Sequence, residues 1–243
     1  MLYCLRRHLF PVSTHFDYSL VLTFAYPRAV LEPLLSPGLT LDCQGDLAFL
    51  AVAMVQTRRL RPSVLPAWLG LDFFLVGYRI FTRYRDARGR NLRGLRILAS
   101  HTDRRVMVVL GNLMTHYGYH KVEVESQRGS ALDLRVRGEN ANLQVHADLS
   151  THEVSLPENS PFANWREARK FAGPLPFTFD YEGQTHSMIV VEGVREHWEP
   201  KPLRVELGEV EFLQGLGERP QLASAFYVED IPYRWKRGVV EKL

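Results

Sequence analysis

A mainly β fold of antiparallel strands, arranged as a barrel or a sandwich, is predicted from three observations. Most of the chain alternates apolar and polar residues at period two, turn-forming clusters separate the alternating runs, and helical periodicity is confined to short segments. That distribution argues against a parallel α/β sheet, in which strands alternate with long helices.

Taken in order, residues 17–25 place Tyr18, Leu20, Leu22 and Phe24 on one side of a strand. Residues 77–85 place Tyr78, Ile80, Thr82 and Tyr84 opposite Arg79, Phe81 and Arg83. Further strands are expected over 105–110, 131–137, 142–149, 187–194, 203–213 and 222–228. Arg88-Gly89-Arg90-Asn91, Gln127-Arg128-Gly129-Ser130, Gly138-Glu139-Asn140 and Glu182-Gly183-Gln184 supply turns. The clearest helix takes Ser160 as N-cap and Pro161 as its first residue, and stops at Gly173-Pro174. A short helix follows Pro27, with Pro33 interrupting it, and a third is expected over residues 112–117. No repeat, linker or compositional break divides the chain, so residues 1–243 read as one domain.

Composition narrows the function. With 243 residues, 46% hydrophobic and 23% charged, the chain is long enough to bury a sizeable core and unlike a disordered or fibrous sequence. A net charge of +3 is too small to imply nucleic acid or an anionic membrane. Cys4 and Cys43 form neither a disulfide framework nor a zinc pattern. After Arg6-Arg7-His8, only Leu9 to Val12 precede Ser13-Thr14-His15, too few for a signal peptide. The longest apolar run, residues 47–55, is about half a membrane span. A soluble, cytoplasmic protein is expected.

The densest polar-aromatic cluster is Gly111-Asn112-Leu113-Met114-Thr115-His116-Tyr117-Gly118-Tyr119-His120-Lys121. His116 and His120 have the spacing of paired metal ligands on a helix, but no glutamate lies between them and Gly118 weakens the helix. No metal site is assigned. Lys121 is a nucleophile only if burial or a neighbouring cation lowers its pKa. From the residues alone it reads as a solvated strand lysine, sharing a side with Glu123 and Glu125 opposite Val122 and Val124.

The order of signals resembles the acetoacetate decarboxylase-like superfamily, and within it an uncharacterised bacterial branch. The residues that carry the resemblance begin with Leu20 to Ala25 running into Tyr26-Pro27, then Leu35-Ser36-Pro37-Gly38-Leu39 and the apolar strand over 47–55. They continue through Asp72-Phe73-Phe74-Leu75-Val76-Gly77-Tyr78-Arg79, Gly89-Arg90-Asn91-Leu92-Arg93-Gly94, the Gly111 cluster and Phe171-Ala172-Gly173-Pro174-Leu175-Pro176-Phe177. The resemblance implies a closed antiparallel β-barrel with a few short helices and a site in its lumen. Decarboxylases of this kind carry their Schiff-base lysine in a Gly-Arg-Glu-x-x-Gly-x-Pro-Lys-Lys segment. Aligning Gly118-Tyr119-His120-Lys121 on Gly-x-Pro-Lys puts Lys121 at that position. Asn112-Leu113 stands in place of Arg-Glu, His120 replaces the proline, and Val122 replaces the second lysine that tunes the first. No carboxylate follows Tyr78 where decarboxylases place one.

The resemblance implies a cofactor-independent lyase in which Lys121 forms an imine with a small keto acid or carbonyl compound, giving decarboxylase, aldolase or dehydratase chemistry. His116 or Tyr117 would shuttle protons, Arg79 would orient a carboxylate, and Asn112, His120 and Tyr78 complete the expected substrate-binding set. The alternative is a small-molecule-binding barrel that has lost the chemistry, favoured by the missing lysine and carboxylate. Arg79 and Arg83 share a strand side suited to bidentate carboxylate binding, or to a solvated edge. The arginines at 85, 88, 90, 93 and 96 read as a solvated hairpin without an RNA-binding signature. No organic cofactor, nucleic acid or membrane partner is expected, and a homo-oligomer is compatible with the sequence.

Overall fold

The computed structural model describes residues 2–151, 153–173 and 175–243. Its strands are β1 (Val12–Pro27), β2 (Leu39–Leu41), β3 (Leu47–Pro62), β4 (Leu71–Arg85), β5 (Asn91–Thr102), β6 (Tyr119–Lys121), β7 (Glu123–Arg128), β8 (Ala131–Arg137) and β9 (Leu143–Asp148). They continue with β10 (Phe177–Glu182), β11 (Ser187–Arg195), β12 (Lys201–Pro202), β13 (Arg204–Val210), β14 (Gln221–Trp235) and β15 (Val239–Lys242). The α-helices are α1 (Arg28–Leu31), α2 (Arg105–Met114), α3 (Trp165–Ala172) and α4 (Glu211–Gln214).

Eleven strands form one sheet along the path β12-β14-β1-β3-β4-β5-β10-β11-β15, with β2 added to β4 and β6 to β5. Strand β14 pairs with β1 and, from Gly193↔Trp235 to Arg195↔Tyr233, also with β11, so the path returns on itself. The other four strands form a second sheet in the order β13-β9-β8-β7. The fold is mainly β, as expected, but not wholly antiparallel. Strand β5 pairs in parallel with β6 and with β10. Helix α2 is the crossover that a parallel β5–β6 pair needs.

The largest core lies between the two sheets. Leu20, Leu22, Val52, Met54, Val76 and Ile80 from the first sheet pack against Leu132, Leu134, Val136, Leu143, Val145 and Ala147 from the second. Burial outside the wrapped sheet carries much of the hydrophobic stabilisation, so the inner face need not be filled. One end of the interior is closed by aromatics: the Phe49 ring centroid lies 5.5 Å from Phe162 and 4.7 Å from Phe171.

Several local expectations are corrected. Residues 105–110 are helical, because Val106-Met107-Val108-Val109-Leu110 is apolar throughout and carries no period to read. Met107 and Gly111, one turn apart, face inward. The helix expected over 112–117 is the end of α2, which stops at Met114. Asn164, not Ser160, caps α3 by accepting a hydrogen bond from Glu167 N at 2.9 Å. Ser160 Oγ instead donates to Ala223 O at 2.7 Å. Helix α3 ends at Ala172 before Gly173, and Pro174 lies outside the described residues. The expected strand over 203–213 divides into β13 and α4. Cys4 and Cys43 are free.

The β5–β10 seam depends on a missing side chain. A Cβ at Gly94 would stand 2.4 Å from Phe177 O and 2.6 Å from the Phe179 ring. Gly94→Ala is therefore expected to destabilise the protein by about 1–3 kcal/mol through overpacking. Urea unfolding measures this, and an unchanged midpoint would contradict the close approach.

Candidate functional site

Period two sends alternate side chains of the wrapped sheet inward. Inside it they leave a cavity of about 610 Å³. Registered pairs order its walls. Arg79 stands level with Ala51 and Ile97, Gly77 with Ala53 and Ser100, Leu75 with Val55, and Phe73 with Thr57. A register shift between Tyr78 and Arg79 leaves Leu98 unmatched in β5, and this rephases the strand so that both Ile97 and Ser100 line the cavity.

Arg79 is the chemically distinctive wall residue. Its guanidinium folds over Gly77, where a Cβ would lie 2.8 Å from Nε. Its Nε is buried with no hydrogen-bond partner among the described residues. Burial lowers its pKa, and the charged or ionisable groups that face it are Tyr233, Tyr119, Tyr117 and Arg195, with no carboxylate among them. An arginine remains cationic under such conditions. Arg195 also lines the cavity, and desolvation lowers its pKa too. Its Cζ lies 4.6 Å from the Trp198 ring centroid and 5.3 Å from that of Tyr233, and Nη2 donates to Leu175 O at 3.2 Å. Both rings can stabilise the cation without neutralising it.

Three arginines near Arg79 in sequence are paired, whereas Arg96, which does not line the cavity, also has a buried Nε without a partner among the described residues. Arg83 and Arg93 clamp the buried Asp42 at 2.7 Å and 2.6 Å, and Arg90 meets Asp86 at 2.7 Å. This corrects the reading of Arg83 as a carboxylate ligand beside Arg79, because Asp42 already occupies it.

His8, Tyr117 and Thr178 line a second polar stretch of the wall, and the buried Asp180 lies behind them, outside the lining. His8 Nε2 lies 3.8 Å from Asp180 Oδ2, and the His8 and Tyr117 rings are 5.2 Å apart. Desolvation raises the Asp180 carboxyl to about 7, with Arg96 opposing the rise, and burial lowers the His8 imidazole to about 4. Burial also raises Tyr117 well above the usual phenol range and Tyr119 to about 12.

The structure separates the expected site residues. Arg79 and Tyr117 line the cavity. Asn112 holds Tyr119 in it: Nδ2 donates to Tyr119 O, and Oδ1 accepts from Tyr119 N, each at 2.8 Å. Lys121 is exposed and is not part of the cavity wall; its Nζ donates to Val122 O at 2.6 Å. The chain leaves the first sheet here, and burying Val122 in the core between the sheets leaves Lys121 outside. His120 is exposed, and His116 is half-buried beyond the wall. Tyr78 points to the opposite face, with its ring 3.9 Å from Phe212. Arg195, Tyr233, His8 and Asp180 carry no signal that singles them out in the sequence, whereas Tyr119 lies in the Gly111–Lys121 cluster with no role assigned to it. Arg195 falls one residue beyond the expected 187–194 strand, at the inward phase set by Gly193. Among the described residues, no group of three or more His, Cys, Asp or Glu is placed to hold a metal, and no helix is long and apolar enough to cross a membrane.

Two tests follow from this electrostatics. Because Asp180 has a raised folded pKa, its contribution to stability is full at acid pH and is lost as pH rises through about 7. Moving a carboxyl from 3.8 to about 7 corresponds to ~4 kcal/mol between its two forms. Asp180→Asn should therefore gain on wild type in thermal midpoint between about pH 4 and pH 7, and gain no further above it. A constant difference across that range would contradict the buried carboxyl. Arg79→Met removes an unpaired desolvated cation and should raise the midpoint of the ligand-free protein; a lower midpoint would mean that the guanidinium is already satisfied.

Among solved structures, the chain resembles an acetoacetate decarboxylase-like enzyme from Sphingomonas wittichii RW1, with a TM-score of 0.61 and 13% identity over 98% of this chain and 94% of that one. It also resembles acetoacetate decarboxylase from Legionella pneumophila, with a TM-score of 0.59 and 11% identity over 96% and 88%. A third similar structure is the enduracididine biosynthesis enzyme MppR complexed with pyruvate, with a TM-score of 0.57 and 13% identity over 94% and 90%. At these identities the likeness is one of fold, and the fold is acetoacetate decarboxylase-like. Comparison with curated proteins gives no sequence match. The profile of DUF2071, described as an uncharacterized conserved protein family, matches residues 14–228. Nearly the whole chain is thus accounted for, and it belongs to the DUF2071 family.

Proposed function

We propose that this protein binds an organic carboxylate inside the wrapped sheet, acting as a closed barrel, with the head group held between Arg79 and Arg195 and no covalent bond to the chain. The observation that carries this reading is Arg79: a desolvated cation beside an open cavity, with no counter-charge among the described residues. A bound carboxylate would supply the missing charge and accept two parallel N–H bonds from the guanidinium. The pyruvate bound to MppR, a protein of similar fold, is itself a carboxylate.

Imine chemistry is not part of this proposal. No lysine lines the cavity among the described residues, and Lys121 is exposed. An exposed amine lacks the desolvation that would make it nucleophilic at neutral pH. A second reading, proton transfer on a bound keto acid, is favoured by His8 and Tyr117, which line the cavity, with the Asp180 carboxyl, raised to about 7, behind them as a relay partner. Such a relay can both take and return a proton at neutral pH without an imine.

A saturating carboxylate at about a hundred times its Kd should stabilise the fold by ~2.7 kcal/mol. That gain should survive Lys121→Ala and vanish in Arg79→Met, as read by thermal unfolding. Borohydride reduction with keto acids followed by mass spectrometry should leave Lys121 unmodified. An adduct on Lys121 would restore the imine mechanism, and a ligand response unaffected by Arg79→Met would remove the anion site.

A further inference from the structure

We infer that the ligand is an amphipathic carboxylate with a long apolar body, such as a medium- or long-chain fatty acid, lying along the cavity with its tail toward the rim. This rests on the carboxylate reading above and extends it from the head group to the substrate class.

The cavity is larger than a small acid needs. About 610 Å³ is roughly four times the ~150 Å³ apolar cavity that accepts a benzene ring. A keto acid of three or four carbons would leave most of that space unfilled, with apolar walls facing it.

The walls are ordered along its length. Phe81 and the neighbouring aromatics Phe49 and Phe171 close one end, with Arg79 two residues from Phe81 along β4. In the other direction the inward residues of β4 are Leu75, Phe73 and Leu71, paired with Val55, Thr57 and Leu60 of β3. Beside β3 in the same wall, Phe16 of β1 stands level with Thr57 and Val12 level with Pro62, and Met107, Leu110 and Met114 of α2 also line the cavity. From Arg79 to Leu71 the strand path is about 26 Å. The charge therefore sits near the closed end of a long, chiefly apolar channel.

The rim is mostly apolar too; Arg61, the cation that lines it, has its guanidinium donating to Leu65 O at 3.0 Å and Arg59 O at 2.9 Å. Leu9, Leu69, Val106 and Leu110 line the cavity and are also exposed, so the channel reaches the surface between the segment holding Leu69 and helix α2. Val64, Trp68, Val109 and Leu113 continue the exposed apolar surface around it. An entrance for a small hydrophilic acid gains nothing from such a rim, whereas an alkyl chain entering head-first is kept from water along its path.

The test is a calorimetric series with pyruvate, butanoate, octanoate, dodecanoate and hexadecanoate, each below its micelle concentration, on the whole chain. Affinity should rise about fourfold per added methylene until the tail reaches the rim. Arg79→Met should abolish binding at every length. Leu75→Trp, which narrows the channel beyond the head group, should lose dodecanoate while retaining butanoate. Octanol should bind at least tenfold more weakly than octanoate. Equal affinity for butanoate and dodecanoate, both lost in Arg79→Met, would overturn the long-tailed ligand and leave the carboxylate site standing. Equal affinity for octanol and octanoate, unchanged in Arg79→Met, would overturn the carboxylate site itself. The length series uses the native chain, so it decides the tail question even if a variant fails to fold.

Discussion

A cation without a counter-ion among the described residues, held beside a hollow apolar space, is the constraint around which this molecule is organised. A guanidinium taken out of water loses solvation that only hydrogen bonds or an opposite charge can return. Arg83 and Arg93 recover it by sharing the buried Asp42. Arg79 and Arg195 instead have aromatic rings, phenol groups and the cavity around them. The fold tolerates this because its main hydrophobic cluster lies elsewhere, in the layer between the two sheets. A chain stabilised from outside its wrapped sheet can keep the inside hollow and charged.

The same geometry places Lys121 away from the lumen position that the resemblance implies for it. The segment Gly118-Tyr119-His120-Lys121 does run beside β5 at the edge of the cavity, but its inward residue is Tyr119, fixed by one hydrogen bond donated by the Asn112 side chain and one accepted by it. Lys121 falls where the chain crosses to the second sheet. A motif position thus transfers between distant relatives as a place on the strand path, while the direction of its side chain depends on where that strand ends.

Much of the fold is legible in the sequence because alternation is a direct record of two-faced strands. Tyr18, Leu20, Leu22 and Phe24 share a side in β1, as their spacing requires. The segment 105–110 misleads because an all-apolar run has no phase, and its outward valines are the rim of the cavity rather than core. The second sheet is invisible as a separate layer, since alternation reports that one face is buried and not what buries it. The site is half legible. Tyr78 and Arg79 are neighbours on one strand and cannot both face the lumen, so parity excludes one of them without saying which. Arg79 is the inward one. His8, Asp180 and Arg195 come from distant segments brought together by β10, β11 and the amino-terminal turn, and no local spacing announces them.

The most direct measurement is the isotope-edited spectrum of the arginine Nε–H groups, recorded as dodecanoate is added to the whole protein. One buried, slowly exchanging resonance, assigned to Arg79 by its absence in Arg79→Met, should move downfield in saturable fashion as the carboxylate accepts its proton. A titration that leaves this resonance in place while the ligand binds would contradict the claim that Arg79 receives the head group.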